Sequence, residues 1–525
     1  MEKLNSHQPQ NTFEVIIIGA GISGLSAANY LKNKNYHKSL KILESRDRVG
    51  GRIYTVPQEN DQKVDLGASW IHGIGPGTYP QTDKWRNKLN PIYELSKKFG
   101  IKTSKCYDDI EESDEKYFWH RTSQQEIQDI QSQDGQKVIC EIQGGEMPLE
   151  TQQIAEKMRQ YYRKMQYRTK ENKCLKELFD KSGDQLDLGQ FRGDKQMQKF
   201  FLSYIWEKEF AADSDQISAY YMEDQEDFDG SDNIFPQGFS QIPETLAQGL
   251  DIDFKQKVLS IDYQDPQKIK IITQQKENEN VTNQTYFCQK LIVTVTLTIL
   301  QKQLIDFTPQ LPDRKRWAIN NLGIGMMDKL ILQFDHLFWE KDKDIDWLNF
   351  CSDSEFDSQS GYWSCILNHY KYIQNEEDLK GKFILIFFNV GREALNYSTQ
   401  TDEFLIQSAL QALNYMYFPK KTIISNTDEN SANSKTKDSQ GFKLTRQNII
   451  DYSRSNWSQD DHAQMSYTFM RVGSKPQACK EIAKGIDKRI WFAGEHTYYE
   501  FLGTTHGAYI SGEIAAKNVI SNFRS

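Results

Sequence analysis

Gly19, Gly21 and Gly24 sit inside "VIIIGAGISGLSAANYL", at a spacing suited to cradling a phosphate. The run "FEVIIIG" reads as a buried parallel strand, a continuous β-branched stretch cut by glycine. "ISGLSAANYLKNK" reads as a helix with an apolar face at Ile22, Leu25, Ala28 and Leu31. At the junction Gly19 permits a tight turn, Gly21 lets the backbone approach a pyrophosphate and Gly24 lets helix pack on strand. Ser23 lies in the first helical turn, whose N–H groups and positive dipole end favour an anion. A second strand, "SLKILES", ends in Glu44, an acid placed to accept hydrogen bonds from an adenosine ribose. Together these pieces predict a dinucleotide site.

Directly behind Glu44 comes "SRDRVGGRIYT", with Ser45, Arg46, the pair Gly50 and Gly51, and Arg52. A nicotinamide does not need this second cradle. An extended FAD does, and Arg52 is a charged fork able to reach phosphate or flavin oxygens. Much further on, Lys329 in "LGIGMMDKLILQF" has the alternating apolar neighbours of a buried strand. A buried lysine is costly unless it is put to use.

The frame that must position these residues is large and acidic. At 525 residues two or three lobes are expected. The net charge of −9 disfavours nucleic acid as a partner and is compatible with a cationic substrate. Mean hydropathy is −0.71, so a very polar surface is expected. Seven scattered cysteines without a CxxC pair indicate neither a disulfide framework nor a zinc site, and no metal is expected. No signal-like segment opens the chain and no apolar run is long enough to span a membrane. The expected location is cytoplasmic, with peroxisome and nucleus left open; oligomeric state is also open. Residues 148–180 and 402–417 have helical periodicity, whereas 120–140 and 424–441 read as polar insertions or loops.

Five blocks now resemble the flavin-containing amine oxidases, a family of polyamine and spermine oxidases, monoamine oxidases and flavin-dependent histone demethylases. They are the two glycine segments, "VDLGASWIHGIG", the stretch from "LIVTVTLTILQ" to "LILQFDHLFW", and "IWFAGEHTYYEFLGTTHGAYISGEIAA". A weaker sixth is "NWSQDDHAQMSYTFMRVGS". The resemblance implies an α/β fold of two interleaved lobes. After a tail at 1–11, a Rossmann-like FAD lobe would gather 12–96, 236–310 and 478–525. An α+β substrate lobe would take 97–235 and 311–477. To the cofactor set it adds Gly67, Ala68, Ser69, Trp70, Val258, Trp457, Gly494, Glu495 and Thr505. It further implies that Lys329 holds a water near flavin N5, that Thr504 lies beside cofactor and substrate amine, and that Tyr467 walls an aromatic cage. His72 would hydrogen-bond a substrate nitrogen and gate cation binding by its titration; Glu209 would bind a distal amine.

The expected activity is oxidation of polyamines, small-molecule substrates such as spermine, spermidine or their acetyl forms, by hydride transfer to non-covalently bound FAD, with O2 as acceptor and H2O2 as product. The acidic run "MEDQEDFDGSD", 222–232, reads by default as a solvated loop and more sharply as a funnel for polycations. Three alternatives stand beside this. A histone demethylase is disfavoured by the dozen residues before the first strand and by the lack of a long charged hairpin. A monoamine oxidase is disfavoured by Ser466 in place of the flavin-linking cysteine and by the lack of a terminal membrane helix. A non-catalytic subunit is kept open by Met465, Thr296 and Thr298, which depart from the family pattern.

Overall fold

The computed structural model describes residues 11–35, 39–75, 88–107, 173–182, 195–221, 225–277, 280–352, 363–373, 383–418 and 443–523, with shorter pieces between 115 and 160 and at 420–425 and 437–438. Its first layer grows from β1 (Thr12–Ile18), α1 (Ile22–Asn33) and β2 (Leu40–Leu43). β1 pairs in parallel with β2 on one side and with the end of the long strand Asn280–Val293 on the other. Strands from 252–253, 257–262, 269–277, 306–308 and 490–492 complete an eight-stranded sheet. The Val15–Ile18 run is buried throughout, as a strand covered on both faces requires.

On this sheet α1 lies against α2 (Thr505–Ser521), and small residues set the distance. A Cβ on Gly24 would stand 2.0 Å from the Gly19 carbonyl oxygen, and one on Gly512 2.0 Å from that of Ser23. The predicted apolar face of α1, Ile22, Leu25, Ala28 and Leu31, is buried.

A second, seven-stranded sheet contains β3 (Met327–Phe334) and β4 (Phe383–Val390) as neighbours, antiparallel to each other, with β3 next to the edge strand Ile449–Arg454. Successive side chains of β3 alternate between two apolar clusters. Leu330 and Leu332 pack under helix Asp402–Tyr417, while Ile331 faces Trp347, Phe388 and Ile386. Lys329 shares the second face. The two sheets draw on different parts of the chain.

Helix 402–417 forms where its periodicity placed it. Of 148–180 the described part includes helix Leu175–Ser182, most of the rest lying outside the described residues. The two polar stretches read as loops instead supply strands. Glu126–Gln131, Lys137–Gln143, Lys420–Ser425 and Lys437–Asp438 join in one small sheet. Segments such as "EIQDIQ" and "KKTIIS" carry too few apolar residues, without regular two-residue alternation, for a strand to stand out, and the pairing that makes them strands links distant parts of the chain. Residues 426–436 lie outside the described residues. Also among the described residues, no helix is long and apolar enough to cross a membrane, and no group of three or more His, Cys, Asp or Glu is placed to hold a metal. Five cysteines are free and buried.

Candidate active site

The two glycine segments meet. The Gly50 amide donates to the Ala20 carbonyl at 2.9 Å, and Gly21 and Gly50 bridge in parallel. Gly19, at φ +102°, adopts a backbone that side chains disfavour. Gly21 differs: its φ is −72°, open to any residue, and a Cβ there would meet nothing within 4 Å. Nothing in the fold calls for glycine at this position, so the free space beside it fits a ligand that needs the backbone bare. A Cβ on Gly51 would touch only the Gly21 Cα, at 3.5 Å. No side chain caps the α1 N-terminus. The cradle therefore fits the pyrophosphate of FAD.

Glu44 is buried at the rim of this cradle. It accepts from the Ala20 amide at 2.7 Å, the Arg46 amide at 2.8 Å and the Ser45 hydroxyl at 3.3 Å. That leaves about one of a carboxylate's four acceptor positions for a ribose hydroxyl. The Arg46 guanidinium is instead held in both prongs by Asp460, each at 2.7 Å. Arg52 donates to Glu495 at 2.9 Å and to the Ser466 carbonyl. Glu495 in turn accepts from the Thr468 hydroxyl at 2.9 Å. The Gly494 amide donates to Ser511, which lies 3.2 Å from Ser23, so "FAGEHT" and α1 share one hydrogen-bond network. Val258 is buried in strand Lys257–Asp262. The Trp457 indole donates to the Leu66 carbonyl, and Met465 packs on the cluster containing Trp457. Thr296 caps the short helix Leu297–Gln301, and Thr298 is buried within it. The departure from the family pattern there keeps a formed turn.

One segment, 65–73, joins cofactor and substrate sides. Its Gly67 and Ala68 amides donate to the carbonyls of Tyr54 and Arg52. Lys329, 5% exposed, directs its ammonium at this segment, to the Asp65 carbonyl (2.9 Å), the Gly67 carbonyl (2.6 Å) and the Ser69 hydroxyl (2.6 Å). It also lies 5.6 Å from the Trp70 ring centroid and 5.4 Å from that of Phe388. Burial lowers its pKa, opposed by the nearby Asp65 carboxylate. Burial raises the pKa of Asp65, opposed by the Thr55 hydroxyl, the Phe239 amide and Lys329. Each ion makes the other tolerable.

Three residues past Ser69, His72 Nδ1 stands 2.8 Å from Asp232, which also accepts from the Gly73 amide. Burial disfavours the imidazolium, but Asp232, by charge and hydrogen bond, with Glu209 and Asp227, outweighs it and raises the pKa to about 9. The ring is 48% exposed, on a wall and not in the core, so solvent screening moderates this effect. His72 is therefore cationic at neutral pH, and its titration falls on the alkaline side.

Tyr467 donates to the Glu209 carbonyl at 2.9 Å, and its ring passes within 3.5 Å of where a Cβ on Gly503 would stand. Glu209 itself is exposed. Thr504 caps α2, accepting from the Gly507 amide at 3.0 Å and donating to the Phe501 carbonyl at 2.9 Å; Thr505 opens the helix. Asn90 ties the His72 carbonyl (2.8 Å) to His506 of α2 (3.5 Å). The structure thus gathers His72, Glu209, Tyr467 and Thr504, with Lys329 and Trp70 behind them. The acidic run does not form an open loop in its described part. Glu226 is buried, Phe228 stacks on Phe501 at 5.0 Å, Asp232 pairs with His72, and Asp227 is exposed; 222–224 lie outside the described residues. Sequence reading missed Asp65 and Asp460 and did not single out Asp232 within its run. None carries a local pattern, and each is recognisable only by its distant partner.

Comparison with known proteins identifies the family and the fold. A family model described as flavin containing amine oxidoreductase covers residues 22–520. Polyamine oxidase 3 of Oryza sativa subsp. japonica is 26% identical over 99% of the chain and 92% of its own length. Lysine-specific histone demethylase 2 of Homo sapiens is 27% identical over 96% of the chain but 53% of its own length. In fold, a structure of putrescine oxidase redesigned in its cofactor binding superposes with a TM-score of 0.63 at 16% identity, over 98% of this chain and 100% of that one.

Proposed function

The chain belongs to the flavin-containing amine oxidoreductases, and from that premise we propose that it oxidises polyamines. FAD, when bound, would supply the two-electron chemistry for oxidation of the carbon beside the amine nitrogen, with O2 as the final acceptor and H2O2 as product. The cradle of Gly19, Gly21, Gly24, Gly50 and Gly51 would hold the pyrophosphate, Glu44 the ribose, and Arg52 with Glu495 the flavin side. Binding is non-covalent, because Ser466 stands where a linking cysteine would be and its hydroxyl is bound to the Met327 backbone.

The observation that carries the substrate reading is the His72–Asp232 pair with Glu209 and Asp227 around it. Asp232 holds Nδ1, leaving Nε2–H as the donor for a substrate. A cationic donor selects a nitrogen with a free lone pair and repels an ammonium. It therefore favours the neutral amine that hydride transfer requires, while Glu209 and Asp227 attract the other, protonated nitrogens of a polyamine. Tyr467 presents an aromatic face to the same space. Lys329, held against the 65–73 segment, supplies the proton that accompanies O2 reduction.

Product analysis tests this reading. Incubated with spermine in air, the holoprotein is expected to form H2O2 and an aminoaldehyde in equal amounts, and acid precipitation is expected to release the flavin into the supernatant. A flavin-loaded protein that forms neither product from any polyamine is not a polyamine oxidase.

A further inference from the structure

Against Asp65 and Ser69, two of the residues that hold the Lys329 ammonium, the structure has a cavity with room for roughly one water molecule. It is lined by Lys63, Asp65, Ser69, Leu367, His369 and Ile386 among others. His369 is 7% exposed, and neither ring nitrogen has a hydrogen-bond partner among the described residues. An imidazole buried without partners is costly, and a water between it and the other polar groups of the cavity would relieve that cost. The cavity joins two features not otherwise connected. On one wall the Ser69 hydroxyl accepts from Lys329 at 2.6 Å and donates to the Gly67 carbonyl at 3.4 Å, a long bond given up at little cost when the hydroxyl turns. At another edge stands Lys63, an exposed residue and so a way out to solvent.

We propose that this cavity is a proton-return path to Lys329, with His369 as the residue that positions its water. The proposal rests on the flavin amine oxidase assignment but not on the choice of amine. Once the Lys329 ammonium has given a proton during O2 reduction, its neutral amine must be recharged while a long substrate or product can still block the front of the site. The Ser69 O–H bond breaks and an N–H bond forms at Lys329. Ser69 takes a proton from the cavity water, and the water takes one from solvent at the Lys63 edge. Nothing is oxidised or reduced, and the net change is one proton moved from solvent to Lys329. His369 accepts the water's second hydrogen bond and so aims its other proton at Ser69. Burial and the neighbouring Lys329 charge lower the His369 pKa to about 4, so the ring stays neutral and keeps an acceptor nitrogen.

The test reduces the holoprotein with dithionite, without amine, and mixes it with O2. His369→Phe is expected to slow flavin reoxidation about tenfold and raise its solvent deuterium isotope effect above about 2, while His369→Gln, which still accepts from water, stays within about threefold of the parent. Amine KM and the flavin spectrum are expected to be unchanged in both. In a Lys329→Met background His369→Phe is expected to add nothing further. Should the Phe variant fail to fold, Ser69→Ala is expected to reproduce the slowing. A high-resolution holoprotein structure is expected to show a water hydrogen-bonded to both Ser69 Oγ and a His369 ring nitrogen. Parent-like reoxidation in His369→Phe or Ser69→Ala, equal slowing in the Lys329→Met background, or a dry cavity would each overturn the proposal.

Discussion

The glycine cradle and the 65–73 wall lie side by side, yet they are built by opposite means. The cradle is shaped by what is missing. Gly19, Gly24 and Gly512 allow backbone to approach backbone, and Gly21 leaves open space. The wall is shaped by charges that hold one another in place: Lys329 with Asp65, His72 with Asp232. Where backbone meets backbone, as at Gly24, a cradle of this kind tolerates no added atoms, and its shape does not depend on pH. A wall of this kind tolerates small changes in volume but fails when one charge is lost.

The sharpest way to break the comparison lies within the cradle. Gly24→Ala drives a methyl onto the Gly19 carbonyl and is expected to destabilise the protein by about 3 kcal/mol, read as a lowered denaturant midpoint. Gly21→Ala is expected to do the reverse in the apoprotein. Its backbone is already ordinary, so alanine should stabilise by about 0.4–1 kcal/mol through the unfolded chain, while flavin affinity falls about tenfold or more. If both variants destabilise the apoprotein alike, Gly21 is a packing residue and the space beside it is not a ligand's.

In the wall, Lys329→Met leaves the Asp65 and Gly67 carbonyls and Ser69 without their donor. A cost of about 2–4 kcal/mol is expected, with flavin still bound and reoxidation slowed about 100-fold. Because burial lowers the Lys329 pKa, the parent rate is expected to fall as pH rises through the alkaline range and the ammonium is lost. The variant is expected to show no such fall. Stopped-flow reoxidation against pH checks both, and a parallel decline in the variant would assign the titration elsewhere.

How far each region is legible in the sequence follows from the same difference. Gly19, Gly21, Gly24 and Glu44 act within one strand–turn–helix unit, so their spacing carries their meaning. Lys329 is legible as a buried strand residue because the alternation around it is local. Its partners are not: it reaches Asp65 across 264 positions, and His72 reaches Asp232 across 160. Arg46 shows the limit most plainly. Its place beside the second glycine pair puts it with the cofactor residues, but nothing local points to the partner of its fork, Asp460, 414 positions away. The strands of the 126–143 region were hidden for another reason, since their sequence has no regular alternation and their pairing reaches across to 420–425.

The smallest expected effect separates wall from cradle by pH. The His72 pKa is raised from 6.5 to about 9 in the folded state, so the pair's stabilisation is fully present below pH 6.5 and is lost as pH rises through about 9. His72→Gln is therefore expected to lower Tm by about 1–2 °C at pH 6, where the exposed ring limits the effect, and by less as pH approaches 9. A difference that does not change with pH would mean that the ring contributes by packing alone.

The most direct measurement of the polyamine assignment is anaerobic flavin reduction across a small amine panel: spermine, spermidine, N-acetylspermine, benzylamine and a methylated histone-tail peptide. On the proposed reading, one neutral nitrogen is met at His72 and distal cations at Glu209 and Asp227. A polyamine is therefore expected to reduce the flavin at least about tenfold faster than benzylamine or the peptide at equal concentration, the difference that one lost interaction of about 1.4 kcal/mol produces. Faster reduction by benzylamine or by the peptide than by every polyamine would contradict the assignment while leaving the family unchanged.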